Sequence, residues 1–159
     1  MHGVPEALPF SEMVWRLTVA VVLGAIIGGE RELVGKEAGI RTGIMVAAGA
    51  SVFAMIGLSL PYIISLDPEH LRDVLARNSG FLAAIANVVI GVGFLGAGII
   101  VKEGIHVRGL TTAATIWFVA GVGVLCGIGL LPFGATAALG LSAILFLLRK
   151  IGMDSADKD

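Results

Sequence analysis

The chain has 159 residues, of which 57% are hydrophobic and only 14% are charged, and its formal net charge is −1. Soluble domains carry about 25% charged residues, so this composition excludes an ordinary water-soluble domain. The near-neutral charge also excludes a general attraction to nucleic acid, and we expect no nucleic-acid partner. We therefore interpret the chain as an integral membrane protein that is surrounded by the lipid bilayer.

Five apolar stretches are long enough to cross a bilayer as helices, and together they predict an all-α polytopic membrane fold. They are residues 13–29, 42–66, 80–101, 110–131 and 133–148. Even the shortest would span roughly 24 Å as a helix. Pro61 is expected to kink or end the second span, and Pro132 suits the first turn of the fifth. We assign residues 1–150 to one transmembrane domain and residues 151–159 to a short polar cytoplasmic tail.

The distribution of basic residues predicts the orientation in the membrane. Five crossings place the termini on opposite sides, and eight of the eleven Lys and Arg residues lie on one side, in the 30–41 loop, the 102–109 loop and the C-terminal tail. The positive-inside rule then places the N-terminus outside and the C-terminus in the cytoplasm. On the outer side, residues 67–80 are expected to form a short helix on the membrane surface.

A dense charged segment, "GERELVGKEAGIRT" (29–42), separates the first two spans, and "KEAGI" (36–40) is weakly repeated as "KEGI" (102–105) before the fourth. Helix N-termini attract anions because their N–H groups are free and carry partial positive charge. We expect Glu30, Glu37 or Glu103 to neutralise Arg41 and Arg108 at these two helix starts, with Glu32 on the solvent side. Binding of an external phosphate or carboxylate is the alternative. The candidate charge cluster comprises Glu30, Arg31, Glu37, Arg41, Thr42, Glu103, Arg108, Thr111 and Thr112.

Small residues predict close helix packing. The segments "GAIIG" (24–28) and "GVLCG" (123–127) have the small-xxx-small pattern that lets helix backbones approach. The third span places Ala84, Asn87 and Gly91 along approximately one face. An unpaired amide in hydrocarbon costs several kcal/mol, so we expect Asn87 to face another helix, either in an interhelical hydrogen bond or in a functional contact. The single cysteine, Cys126, is expected to be a small buried apolar residue.

Two segments resemble the signatures of the MgtC/SapB family of bacterial inner-membrane proteins. They are "GGERELVGKEAGIRTGIMVAAGA" (28–50) and "GVGFLGAGIIVKEGIHVRGLTTAATIWFVAGVG" (91–123), in the same order and at a similar separation. The positions that match the first signature are Glu30, Arg31, Ala38, Gly39, Arg41 and Thr42. Those that match the second are Gly93, Phe94, Gly96, Gly98, Gly104, Arg108, Gly109, Thr112, Ala113, Ala114 and Trp117.

The resemblance implies a multi-spanning protein of the bacterial inner membrane that supports growth when magnesium is scarce and, in some pathogens, virulence and survival in macrophages. It also implies a partner, because some members of the family are linked to inhibition of the F-type ATP synthase through its membrane sector. Many members continue into a soluble cytoplasmic domain, whereas eleven residues follow Leu148 here. Any function housed in that domain would be absent.

Three classes of function compete. The first is a regulatory protein that docks to another membrane complex, and its glycine-rich faces also predict a homodimer. The second is a transporter of Mg²⁺ or another ion, which is weakened because Mg²⁺ favours carboxylate ligands and no Asp or Glu lies inside a predicted span. The third, an enzyme, is weakest, since the three histidines lie outside the spans and no HExxH motif occurs. We expect no catalytic residue, no metal site and no cofactor.

Overall fold

The structure is a computed structural model that describes residues 8–64 and 80–151, and the predicted surface helix at 67–80 lies almost wholly outside them. Within the described residues the helices are α1 (Phe10–Leu33), α2 (Ile40–Ile64), α3 (Gly80–Ile99), α4 (Leu110–Gly127) and α5 (Leu131–Lys150). Each of these five is long and apolar enough to cross a membrane. This confirms the predicted all-α fold with five spans.

The helix ends depart from the edges of the hydrophobic runs. Helix α1 begins at Phe10 and continues through Glu30 and Arg31 to Leu33, because the hydrogen bonds of a helix are local and do not depend on the bilayer. Helix α2 does not end at Pro61 but continues to Ile64. Pro132 lies in the first turn of α5 as predicted. The turn before it passes through Gly129, whose φ of +92° suits glycine.

A short β-hairpin connects α3 to α4, where the sequence predicted only a loop. Strand β1 (Val101–Glu103) pairs antiparallel with β2 (His106–Arg108), and Lys102 lies opposite Val107. Gly104 opens the two-residue turn with a φ of +62°. Both strands are exposed, and Ile105 at the tip is 91% exposed. We call this side of the bundle, which also carries the turn between α1 and α2, the hairpin end.

The centre of the bundle is built from glycine contacts between α2 and its neighbours. A Cβ atom on Gly24 of α1 would lie 2.8 Å from the Cβ of Ala47 and would meet the carbonyl oxygen of Gly43 on α2. On the other side of α2, a Cβ on Gly127 of α4 would lie 2.7 Å from the Cβ of Ala54. Both predicted small-residue patterns therefore mediate packing within the chain, and α2 is the central helix.

At the end opposite the hairpin, an arginine joins α1 to α4. The Arg16 Nε donates to Oε1 of Glu12 at 2.8 Å, one turn earlier on α1. Its Nη1 donates to the carbonyl oxygen of Gly127, the last residue of α4, at 2.9 Å. A cation at a helix C-terminus satisfies a free carbonyl and complements the helix dipole. Arg16 thus closes this end of the bundle.

Helix α3 lies at the periphery. In the most apolar 18-residue stretch of each helix, 50% of the residues of α4 are buried but only 6% of those of α3. Helix α3 packs against α2 and α4, and the closest glycine contact it makes is moderate: a Cβ on Gly96 would lie 3.4 Å from the Cβ of Ala113. Most of the surface of α3 is therefore open.

Candidate functional site

The charged segment is folded into a tight corner between α1 and α2. A Cβ atom on Gly28 of α1 would lie 2.6 Å from the carbonyl oxygen of Gly39 and 2.8 Å from the Cα of Ile40. Only glycine permits this approach of two backbones. The corner turns through Gly35, whose φ is +71°. As a result, the last turn of α1 lies directly against the first turn of α2.

The carboxylate of Glu32 caps the N-terminus of α2. Its Oε2 accepts a hydrogen bond from the backbone N–H of Ile40, the first residue of the helix, at 2.8 Å. A Cβ on Gly39 would lie only 3.1 Å from the Cβ of Glu32, so this glycine makes room for the side chain. The sequence correctly predicted that a carboxylate of the segment would meet a helix N-terminus. Glu32 is exposed, as the sequence predicted, but the sequence did not predict that it caps this helix start, a role expected of Glu30, Glu37 or Glu103.

The pairing expected for Arg41 is also corrected. Its side chain is exposed on the first turn of α2, and no ion pair joins it to Glu30, Glu37 or Glu103 among the described residues. The reason is geometric, because the contact of Gly28 with Gly39 brings Glu32 to this helix start instead. Glu37, Glu103, Arg108 and Thr111 are exposed as well.

Arg31 is the buried member of the predicted cluster. The residue is only 5% exposed, and its Nη2 donates a long hydrogen bond of 3.4 Å to Oγ1 of Thr112 in the first turn of α4. Its Nε has no hydrogen-bond partner. Thr112 itself is 2% exposed, so the structure brings these two predicted residues together across 81 positions of the chain.

Arg31 borders a small cavity between three helices. The cavity measures about 10 Å³, and its polar lining consists of Arg31, Thr42 of α2 and Thr115 of α4. The hydroxyl of Thr115 already donates to the carbonyl oxygen of Thr111 at 2.8 Å. Glu30, next to Arg31 on α1, has a buried Oε2 without a hydrogen-bond partner. The hairpin end therefore contains ionisable groups that are buried and incompletely paired.

Asn87 is placed in a groove and not between two packed helices. Asn87 is exposed and lies about 10 Å along α3 from Gly80. The groove, of about 520 Å³, runs between α2 and α3, and Met45 and Phe53 of α2 form its opposite wall. Apart from Asn87 its lining is made of apolar side chains and glycines. The amide is thus presented at the lipid-facing surface of a span.

Two glycines leave the groove open for a close neighbour. A Cβ atom built on Gly49 of α2 or on Gly91 of α3 would have no atom of the surrounding structure within 4 Å. Gly91 lies one helical turn after Asn87, so both residues face the same groove. The sequence predicted the glycine face on the third span, but it did not reveal the α2 wall because nothing in a hydrophobic run marks which side faces a neighbouring helix.

No group of three or more His, Cys, Asp and Glu side chains within residues 8–64 and 80–151 is arranged to hold a metal ion. Three polar features stand out in the candidate site: the corner with Glu32, the buried Arg31 with Thr112, and the groove amide of Asn87.

Comparisons with known proteins agree with this architecture. The model of the MgtC family matches residues 17–153. Protein MgtC of Brucella abortus (strain 2308) is 42% identical over 147 residues, which cover 87% of this chain and 56% of the relative. Protein MgtC of Salmonella typhimurium (strain LT2) is 40% identical over 134 residues, which cover 84% of this chain and 51% of the relative.

The chain thus spans about half the length of the curated relatives it matches. No solved structure matches it. The family match covers α1 from Leu17 onward and all of the four later helices, including both signatures and the groove between α2 and α3. The chain is a multi-pass membrane protein, and it belongs to the MgtC family.

Proposed function

We propose that this chain is a regulatory protein of the bacterial inner membrane that acts by docking to another membrane complex. The observation that carries the proposal is the groove between α2 and α3, which presents the Asn87 amide beside Gly91 at an exposed surface. Lipid tails cannot hydrogen-bond an amide, and leaving it unpaired costs several kcal/mol. A transmembrane helix of a partner offers backbone and side-chain groups that remove this cost.

The shape of the groove suits a helix. Glycine on both walls, at Gly49 and Gly91, permits the close backbone approach that drives helix association in membranes. The exposed Phe53, at 56%, adds apolar surface that a partner helix would cover. The occupant we propose is a helix of the membrane sector of the F-type ATP synthase, the partner that the family resemblance implies.

Docking of this kind would connect the chain to energy metabolism when magnesium is scarce, and in a pathogen to virulence. An inhibitor that acts through the membrane sector of the synthase needs a surface with a polar group. Lipid cannot hydrogen-bond that group, but a partner helix can. The groove offers the Asn87 amide as such a polar group, in a lining that is otherwise apolar or glycine. The homodimer predicted from the sequence would compete for the same surface if it formed through the groove.

The test uses two glycines of α3 as a matched pair. Gly91 lines the groove and Gly93 does not, although a Cβ on either would be free of contacts within 4 Å. Gly91→Leu should therefore fill the groove without unfolding the chain, and Gly93→Leu is the control. A photo-crosslinking residue at Phe53, in native membranes, should form an adduct with a membrane subunit of the synthase, and Gly91→Leu should reduce that adduct at least tenfold.

The functional readout is ATP-driven proton pumping by inverted membrane vesicles. Wild-type protein and Gly93→Leu should inhibit pumping, whereas Gly91→Leu and Asn87→Leu should not. Expression of the wild type, but not of Gly91→Leu, should restore growth at low Mg²⁺ to a strain that lacks its own copy. An adduct with a second copy of this chain would assign the groove to self-association, and equal inhibition by all variants would refute docking through the groove.

Transport is the competing function, and one assay separates it from docking. Purified protein in sealed liposomes that contain a fluorescent Mg²⁺ indicator should produce no Mg²⁺ flux above protein-free liposomes. A flux that saturates with Mg²⁺ concentration would replace the docking proposal by transport.

A further inference from the structure

The buried side chain of Arg31 has one hydrogen-bond donor that the surrounding residues do not satisfy. The residue is only 5% exposed, and its Nη2 donates to Thr112 over 3.4 Å, but its Nε has no hydrogen-bond partner. Arginine is always protonated in proteins, so Nε carries an N–H group that is shielded here from bulk water. A buried donor without an acceptor is costly, and more so when the group is charged.

The adjacent polar residues do not supply the missing acceptor. Glu30 precedes Arg31 on α1, but it does not accept from Nε, and its own buried Oε2 makes no hydrogen bond. The hydroxyl of Thr112 accepts from a different nitrogen of the guanidinium. The remaining place for an acceptor is the cavity that Arg31 borders between α1, α2 and α4.

The size of this cavity matches one water molecule. Its volume is about 10 Å³, which is about the least space that holds a water. Its walls cannot move apart easily, because Gly28 and Gly43 line it and a Cβ atom on Gly43 would lie 3.2 Å from the Cα of Gly28. Phosphate and carboxylate ligands, the alternative considered from the sequence, contain several heavy atoms and are too large for it.

The polar lining offers three hydrogen bonds, which is the number that a buried water typically makes. Nε of Arg31 supplies a donor. Thr115 of α4 supplies an acceptor, because its hydroxyl hydrogen already goes to the carbonyl oxygen of Thr111 at 2.8 Å and its oxygen keeps lone pairs. Thr42 of α2 supplies a hydroxyl group that can donate or accept. The three groups belong to three different helices.

We propose that this cavity binds one water molecule, which bridges Nε of Arg31 to the hydroxyl groups of Thr42 and Thr115. The water accepts a hydrogen bond from Nε, donates one to Oγ1 of Thr115 and forms its third with Thr42. It thereby links α1, α2 and α4 at the hairpin end, as Arg16 links α1 to α4 directly at the opposite end. Thr115, which the sequence did not place in the charge cluster, becomes part of the site.

The direct experiment is a structure of the purified full chain at a resolution that shows ordered waters. Density for one water should lie about 2.7–3.2 Å from Nε of Arg31 and within hydrogen-bond distance of Oγ1 of Thr115. A map without this density would overturn the proposal. So would a map in which a carboxylate oxygen of Glu30 accepts directly from Nε.

Stability in detergent tests the contribution of the threonine hydroxyl. Thr42→Val keeps the size of the side chain but removes one partner of the water, so it should lower the melting temperature by about 3–8 °C. The control Thr111→Val changes an exposed threonine at the same end of the bundle and should shift the melting temperature by less than about 2 °C. Equal shifts in the two variants would contradict the bridge.

A double-mutant cycle shows whether Thr42 acts together with Arg31. Arg31→Met keeps a long side chain but removes the N–H group that the water satisfies. In that background Thr42→Val should lower the melting temperature by less than half as much as it does in the wild type. Equal effects in both backgrounds would overturn the proposal, and the density beside Nε in the wild type decides it if Arg31→Met does not fold.

Discussion

Gly123→Ala is the substitution that most directly tests the glycine-packed centre of the bundle. A Cβ atom at Gly123 of α4 would lie 2.9 Å from the Cα of Ala47 and 2.9 Å from the Cβ of Ala50, and it would also meet the carbonyl oxygen of Ala47. Each of these atoms belongs to α2 backbone or to a Cβ, so no flexible side chain can move aside. The methyl group therefore has to separate α4 from α2.

The expected loss follows from the cost of overpacking. One extra methyl group in a well-packed core costs about 1–3 kcal/mol. The control is Gly121→Ala, two positions earlier on the same helix, where a Cβ would have no atom of the surrounding structure within 4 Å. There alanine should stabilise the helix by up to about 1 kcal/mol through its higher propensity. The free energies of unfolding of the two variants should differ by about 1–4 kcal/mol, or about 2–16 °C in melting temperature.

Cys126 provides the assay. It is the single cysteine of the sequence and is 0% exposed, on α4 three residues after Gly123. A maleimide that becomes fluorescent on reaction with a thiol should therefore report the opening of the bundle during a temperature ramp in detergent. Equal melting of Gly123→Ala and Gly121→Ala would show that α2 and α4 are not in the backbone contact described here.

Of three further predictions, two use the Cys126 assay, and the third uses a variant in which Cys126 is replaced. Glu32→Gln should weaken the carboxylate cap of α2 and lower the free energy of unfolding by about 0.5–2 kcal/mol, whereas the exposed Glu37→Gln should leave the melting temperature unchanged. Arg16→Ala should cost about 1–3 kcal/mol, because it removes the donor to the Gly127 carbonyl oxygen and leaves that acceptor unpaired; Glu12→Gln, at the more exposed partner, should cost less, and an equal loss in both variants would contradict this account. In a variant whose native cysteine is replaced by alanine, Ile105→Cys at the hairpin tip should be shielded from an impermeant thiol reagent in intact cells and should react after permeabilisation; labelling of intact cells would reverse the predicted orientation.

The spans could be predicted from the sequence because hydrophobicity over about 20 residues determines which segments enter the bilayer. The ends of the helices could not, as the continuation of α1 through Glu30 and Arg31 to Leu33 shows. A helix that has crossed the membrane keeps its local hydrogen bonds for as long as the backbone permits. The turn at Gly35 ends it, and a hydropathy pattern contains no information about that turn.

The sequence predicted which residues form the charge cluster, but it did not predict which of them pair with each other. The sequence places nine candidate residues at two helix starts, and the packing decides which of them are buried. The contact of Gly28 with Gly39 and Ile40 fixes the corner, and from there Glu32 reaches Ile40 N while Arg31 turns inward to Thr112. Because adjacent helix residues point about 100° apart, a shift of one position exchanges a buried side chain for an exposed one. Such a choice depends on the neighbouring helix and not on the segment itself.

The same reasoning explains why the glycines of α1 and α4 have a different role from those of α3. Gly24 and Gly28 of α1 and Gly123 and Gly127 of α4 are in close contact with α2 and hold the bundle together, so replacing them should destabilise the protein. Gly91 and Gly93 of α3 have no such contacts, and α3 is barely buried. Regions with few buried contacts have low local stability and are those from which binding surfaces are drawn. If the proposed docking takes place through the groove, substitutions on its α3 wall should alter binding to a partner at little cost to the free energy of unfolding.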